Sequence, residues 1–94
     1  MKQTIAILGG GNLGRSIAEG LLEVEGFSAD QLHITRRKTK HLQDLADRGV
    51  HTSADNRQAV RAADIVIAAV QPGQMAGLLH EVRPDLDPKR QTLI

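Results

Sequence analysis

Residues 5–14 read Ile-Ala-Ile-Leu-Gly-Gly-Gly-Asn-Leu-Gly. Four apolar residues lead directly into a glycine cluster, in which Gly9, Gly11 and Gly14 form the pattern Gly-x-Gly-x-x-Gly between a predicted strand and a predicted helix. Such a turn lets the backbone approach a dinucleotide pyrophosphate, and the helix that follows directs its free N–H groups at the anion. The stretch therefore predicts an α/β fold of the Rossmann type with a dinucleotide site at its first turn.

The rest of the chain alternates short apolar runs with segments of helical period. The predicted strands are 4–8, 32–35, 50–52, 64–70 and 91–94, and the predicted helices are 12–25, 38–48, 55–62 and 73–83. This alternation predicts a doubly wound parallel sheet, and right-handed crossovers restrict its strand order to 3-2-1-4-5. The last apolar segment stops at Ile94 after four residues. We expect a fifth strand that is cut short, and residues 1–94 to form one partial dinucleotide-binding domain.

Composition limits the possible functions of the chain. Its 94 residues carry a net charge of +1, which gives no reason to expect binding to nucleic acid or to a membrane. The only aromatic residue is Phe27, so the core must be aliphatic, and the absence of cysteine excludes thiol chemistry. The four histidines lack metal-ligand spacing, and no serine has a suitable histidine partner. We therefore assign no catalytic residue and no metal site, and we expect a cytoplasmic protein.

The end of the second predicted strand indicates which cofactor is bound. An NAD site usually has an Asp or Glu there to bind the adenosine ribose, but this chain continues Thr35-Arg36-Arg37. A guanidinium can bind a 2′-phosphate through two hydrogen bonds, whereas a carboxylate would repel it. The sequence therefore favours NADP(H) over NAD(H).

Ala69 to Pro72 end the fourth predicted strand, beside the switch in strand order. Ligands of open α/β sheets bind at the carboxyl ends of the strands at that switch, so this turn is a candidate cofactor contact. An ordinary strand-to-helix turn with proline at the helix start explains the same residues. The pattern alone leaves both interpretations open.

Several of these motifs together resemble pyrroline-5-carboxylate reductase. The resemblance is carried by Asn12-Leu13-Gly14, Arg36, Asp55-Asn56 and the run 63–72, which reads Ala-Asp-Ile-Val-Ile-Ala-Ala-Val-Gln-Pro. It covers essentially the whole chain, but only the front part of a family member. The family reduces 1-pyrroline-5-carboxylate to proline with NAD(P)H, as the last step of proline biosynthesis. Its substrate pocket and dimer contacts lie in a C-terminal helical domain, which implies a homo-oligomer and a chain that binds the cofactor without catalysing reduction alone.

The resemblance also implies a set of cofactor-binding residues. With the motifs above, the full candidate set is Leu8, Gly9, Gly10, Gly11, Asn12, Leu13, Gly14, Thr35, Arg36, Arg37, Asn56, Ala69, Val70, Gln71 and Pro72. The chain departs from the family at two of these positions. Leu13 stands where methionine is frequent, and Gln71 stands where lysine is frequent, which removes a charge beside the cofactor.

Two other functions remain open from the sequence. The chain could be a free-standing NADP(H)-binding module without catalysis. It could also be part of another dehydrogenase with the same glycine loop, such as a beta-hydroxyacid dehydrogenase or a deazaflavin-dependent NADP reductase.

Overall fold

Parallel strands alternating with helices make up the structure, a computed structural model that describes residues 3–94. The strands are β1 (Ile5–Leu8), β2 (Leu32–Thr35), β3 (His51–Ser53), β4 (Ile65–Ala68) and β5 (Thr92–Leu93). The α-helices are α1 (Asn12–Leu22), α2 (Gln43–Asp47), α3 (Asn56–Ala62) and α4 (Pro72–Val82). Short 3₁₀ turns cover Ala29–Gln31, Thr39–Leu42 and Arg83–Asp85.

The strands of residues 3–94 form one sheet in the order β3-β2-β1-β4-β5, with every pair parallel. This confirms the predicted fold class and topology. At the end of β1, Leu8 lies level with Thr35 of β2 and with Ala68 of β4. The three loops that follow these strands therefore meet at one edge of the sheet, on either side of the switch in strand order.

Two aliphatic layers cover the faces of the sheet, because successive residues of β1 point to opposite sides. Ala6 and Leu8 face α3 and α4, in a cluster completed by Ala59, Val60, Ala63, Val66, Leu78 and Val82. Ile7 faces the other layer, with Ala18, Leu32, Ile34, Leu42, Leu45, Val50 and Ala69. Phe27 is half-buried at the margin of this second layer. The expectation of an aliphatic core is confirmed.

Helix α1 is shorter than predicted, because it ends at Leu22 rather than at residue 25. The N–H of Val24 bonds to the Leu21 carbonyl at 3.0 Å, which closes the last turn tightly and turns the chain out of the helix. The apolar side chains of Leu13 and Val24, which fall at helical spacing, are 62% and 54% exposed. The buried face of α1 instead carries Gly14 and Ala18, small residues that let the helix approach the sheet closely.

The segment predicted as one helix over 38–48 is a 3₁₀ turn followed by the short helix α2. Leu42 and Leu45 are nonetheless fully buried. Strand β3 begins one residue later than predicted, and β4 is shorter at both ends. These differences move the ends of elements and leave the order of the strands unchanged.

Two histidines stack on the neighbouring strands β2 and β3. The rings of His33 and His51 have centroids 4.5 Å apart and planes inclined by 19°. Burial lowers the pKa of His33 below its usual 6.5, and the facing charge of His51 lowers it further. The folded chain therefore disfavours the protonated form of His33, whereas the unfolded chain takes up the proton near its ordinary pKa.

We expect the stability that depends on neutral His33 to be present above pH 6.5 and lost as the pH falls through the lowered pKa. The melting temperature of the chain should drop between about pH 7.5 and about pH 5.5, the range in which histidine titrates. His33→Gln should reduce that drop, measured by circular dichroism. His80→Gln, on the exposed side of α4, is the matched control and should keep the wild-type drop. An unchanged drop in His33→Gln would contradict this account.

Candidate functional site

The glycines after β1 have different roles in the turn. Gly9 has φ +101°, and a Cβ there would lie 2.7 Å from Val70 Cγ1 and 2.8 Å from the Ala69 carbonyl oxygen. A Cβ on Gly14 would overlap the Gly9 carbonyl oxygen. Gly11 is different, since a Cβ there would meet nothing within 4 Å. The turn thus needs glycine at two positions for its shape, and the third glycine leaves open space beside the start of α1.

That open space is suited to an anion. Gly11 is the N-cap of α1, it offers no side-chain hydrogen bond to the helix, and the first turn carries no acidic residue. The leading N–H groups of an 11-residue helix therefore face the space with the positive end of the helix dipole. Any side chain at position 11 would fill the volume that a phosphate needs.

Two arginines follow β2 and line the same space. Arg36 bonds through its backbone N–H to the Ser53 carbonyl at 3.0 Å, and its Nη1 donates to the Gly10 carbonyl at 3.1 Å. Arg37 is exposed beside it. The pKa of the neighbouring His41 is lowered first by desolvation and then by the charges of Arg36 and nearby lysines. Positive charges therefore surround the segment that follows β2.

Arg15 of α1 holds the end of the basic segment 36–40, which follows β2. Its Nη1 donates to the His41 carbonyl at 3.2 Å, and its Nη2 forms an ion pair with Asp44. Both partners lie beyond the arginines, so the segment is attached at its start to the glycine loop and at its end to α1. This limits how far the two arginines can move from the loop.

A chain of side-chain hydrogen bonds crosses the floor of the site. The Gly9 N–H donates to Thr35 Oγ1 at 3.3 Å, and Thr35 Oγ1 donates to Asn56 Oδ1. Asn56 Nδ2 in turn donates to Glu81 Oε1 at 2.8 Å. Asp55 caps α3 by accepting the Gln58 N–H, and this cap fixes where Asn56 begins the helix. These hydrogen bonds therefore connect the glycine loop, β2, α3 and α4 at the floor of the site.

These features line a cleft of about 600 Å³ at the carboxyl edge of the sheet. Eight of the fifteen residues expected from the sequence line it: Gly9, Gly10, Gly11, Thr35, Arg36, Arg37, Asn56 and Val70. The others lie around it. Leu8, Gly14 and Ala69 are buried behind the loops, and Asn12, Leu13, Gln71 and Pro72 are exposed in the first turns of α1 and at the start of α4.

Five lining residues were not expected from the sequence: Ala54, Gln74, Gly77, Leu78 and Glu81. Four of them lie on α4 at positions 74, 77, 78 and 81, which is the spacing of one helix face. That periodicity, applied to the helix after β4, is the signal that could have identified them. Within residues 3–94, no group of three or more His, Asp or Glu side chains could hold a metal ion. No helix in the same range is long and apolar enough to cross a bilayer.

The strand order, the glycine turn and the cleft above it define a Rossmann-type domain, the class of fold that carries dinucleotide cofactors in oxidoreductases. Residues 4–94 match the family described as NADP oxidoreductase, coenzyme F420-dependent. The chain belongs to this family.

The names of the curated relatives are more specific than the family description. The chain is 37% identical over 79 residues to pyrroline-5-carboxylate reductase 1 of Dictyostelium discoideum, covering 84% of this chain and 14% of that protein. It is 34% identical over 85 residues to pyrroline-5-carboxylate reductase of Corynebacterium melassecola, covering 89% and 31% respectively. The resemblance seen in the sequence is confirmed.

The solved structure of a pyrroline-5-carboxylate reductase from Coxiella burnetii superimposes with a TM-score of 0.84 at 34% identity. The match covers 94% of this chain and 33% of that one. The chain therefore spans about a third or less of the length of these relatives.

Proposed function

We propose that the chain is the cofactor-binding part of an NADPH-dependent reductase that converts 1-pyrroline-5-carboxylate to proline. The observation that carries the proposal is the cleft in which the glycine loop and the start of α1 face Arg36 and Arg37. This combination offers N–H donors for a pyrophosphate and two guanidinium groups for a further phosphate, with no carboxylate at the end of β2.

The residues of the cleft divide into roles along such a cofactor. The glycine loop and the first turn of α1, from Leu8 to Gly14, would hold the pyrophosphate. Thr35, Arg36, Arg37 and Asn56 would bind the adenosine side, and residues 69–72 would border the ribose next to the nicotinamide. When bound, the cofactor supplies a hydride to the imine carbon, while a proton reaches the nitrogen. The chain's own contribution is to bind and orient the cofactor.

The first experiment is a calorimetric titration of the chain with NADPH and, separately, with NADH. We expect NADPH to bind about 100-fold more tightly or more, since each of two charge-assisted hydrogen bonds to the added phosphate contributes about 1.5–3 kcal/mol. Circular dichroism on the same sample establishes that it is folded. Equal affinities for the two cofactors would contradict a 2′-phosphate site, and a folded chain that binds neither would contradict the proposal as a whole.

The substrate side of the proposal rests on the names of the curated relatives and applies to a protein of their length. We expect such a protein to oxidise NADPH in the presence of 1-pyrroline-5-carboxylate, and the 94-residue chain alone to show no turnover. The family description names coenzyme F420, so reduced F420 with NADP⁺ is the comparison substrate pair. Faster reaction with that pair would favour a deazaflavin-dependent reductase instead.

The remaining parts of the proposal concern assembly and location. A homo-oligomer is expected from the resemblance, and light scattering of the longer protein tests it. A cytoplasmic location is expected from the sequence, and cell fractionation tests that. A free-standing cofactor-binding module would instead bind NADPH with no reductase activity in any longer form of the protein.

A further inference from the structure

We infer that Glu81 of α4 is a positioning residue for the cofactor site, acting through Asn56 and Thr35 on the glycine loop. The inference rests on the proposed function for its effect on cofactor binding. Its structural part rests only on the hydrogen bonds that join Gly9, Thr35, Asn56 and Glu81. None of the sequence motifs includes Glu81.

The two ends of this chain of hydrogen bonds, Gly9 and Glu81, differ in chemistry. A carboxylate can only accept hydrogen bonds, and the Gly9 N–H can only donate one. Asn56 lies between them with an amide that has an accepting oxygen and a donating nitrogen. Because Glu81 accepts from Nδ2 at 2.8 Å, the amide of Asn56 must turn its Oδ1 toward Thr35. The reversed amide would place its oxygen against the carboxylate.

The orientation of Asn56 then determines the role of the Thr35 hydroxyl. With Oδ1 in front of it, the hydroxyl donates to Asn56 and keeps a lone pair for the Gly9 N–H, at 3.3 Å. With the reversed amide, the hydroxyl oxygen would accept from Asn56 Nδ2 as well as from the Gly9 N–H, its own hydrogen would lose its acceptor, and its bond to Gly9 would weaken. Glu81 therefore sets the direction of the hydrogen bond between Asn56 and Thr35 and, through it, the strength of the bond from the Gly9 N–H.

This direction also matters for a ligand in the cleft. Asn56 lines the cleft, and its Nδ2 carries two hydrogens, of which Glu81 receives one. The second is a donor for an oxygen of the bound cofactor. Without Glu81, the amide of Asn56 can turn over and present its oxygen where this donor was. Binding then weakens, although Glu81 itself need not touch the ligand.

The first test needs no cofactor. Amide hydrogen exchange of the chain by NMR compares Gly9, whose N–H bonds to the Thr35 hydroxyl, with Gly10, whose N–H bonds to the Thr35 carbonyl at 2.6 Å. In Glu81→Ala we expect exchange at Gly9 to accelerate about threefold to tenfold, because its bond to the Thr35 hydroxyl weakens, with Gly10 unchanged. An unchanged Gly9 would overturn the inference, whether or not the chain binds NADPH.

The second test is a double-mutant cycle on NADPH affinity. Glu81→Ala should weaken binding about threefold to tenfold in the wild-type background and have no effect in Asn56→Ala, since the two act in series. Glu81→Gln retains an accepting oxygen and should restore most of the affinity. Glu19→Ala is the matched control, because Glu19 is an exposed carboxylate of α1 paired with Arg48 away from the cleft.

The outcomes of these tests distinguish the proposed function of the chain from the positioning role of Glu81. An equal loss from Glu81→Ala in both backgrounds would mean a general effect on the fold and would overturn the positioning role. Wild-type chain that binds no NADPH would refute the proposed function, and the exchange rate at Gly9 would still decide the role of Glu81.

Discussion

Replacing Arg36 and Arg37 together by alanine is expected to weaken NADPH binding about 100-fold, because two charge-assisted hydrogen bonds are lost. NADH has no 2′-phosphate and should lose much less. The single variants should differ. Arg37 is exposed and lines the cleft, so Arg37→Ala should affect NADPH alone. Arg36 also holds the Gly10 carbonyl, so Arg36→Ala should weaken both cofactors by loosening the loop.

Titration calorimetry with both cofactors measures these effects. Arg48→Ala removes the same charge from a site where Arg48 pairs with Glu19 away from the cleft, and it should change neither affinity by more than about twofold. If the double variant loses equal affinity for NADPH and NADH, the arginines support the loop without recognising the 2′-phosphate.

Gly14→Ala is expected to destabilise the chain by about 3 kcal/mol, the upper part of the usual range for overpacking a buried position. The added methyl group would overlap the Gly9 carbonyl oxygen and would also lie 3.2 Å from Ile7 Cγ2. A backbone oxygen in a tight turn cannot move aside as a flexible side chain can. Since small domains have only a few kcal/mol of net stability, this is a large fraction of the total.

Gly20→Ala is the matched control in the same helix. A Cβ at Gly20 would meet nothing within 4 Å, so the better helix propensity of alanine should raise the free energy of unfolding by about 0.5–1 kcal/mol. Urea unfolding followed by circular dichroism suits a chain without tryptophan or tyrosine. Similar stability of the Gly14 variant and the wild type would show that α1 can shift away from the loop at little cost.

Most of the fold was predictable because its signals are local. The apolar run Ile5–Leu8 before the glycines and the run Ile65–Val70 mark buried parallel strands, and right-handed crossovers determine their order. The helix ends were less predictable. Whether α1 continues to residue 25 depends on how its last turn closes. Val24 has an apolar side chain that suggests a core position, but the side chain is exposed to solvent.

The candidate site was predictable only in part, for a similar reason. The glycine loop and the arginines after β2 have local patterns, and parallel strands bring them together. The bonds from Thr35 to Asn56 and from Asn56 to Glu81 join residues 21 and 25 positions apart. Helical spacing could have placed Glu81 at the cleft, but these pairings depend on how α3 packs against β2 and α4, which leaves no local pattern in the sequence.

The hydrogen bond between Arg36 and the Gly10 carbonyl has a consequence for the energetics of recognition. An arginine side chain in solution samples many rotamers, and fixing one on binding costs about 0.5–1.5 kcal/mol of conformational entropy. Here the guanidinium is already held against the loop before any ligand arrives, so much of that entropy is lost during folding. Binding should then proceed with little rearrangement of the loop, and an incoming anion should meet a preorganised partner.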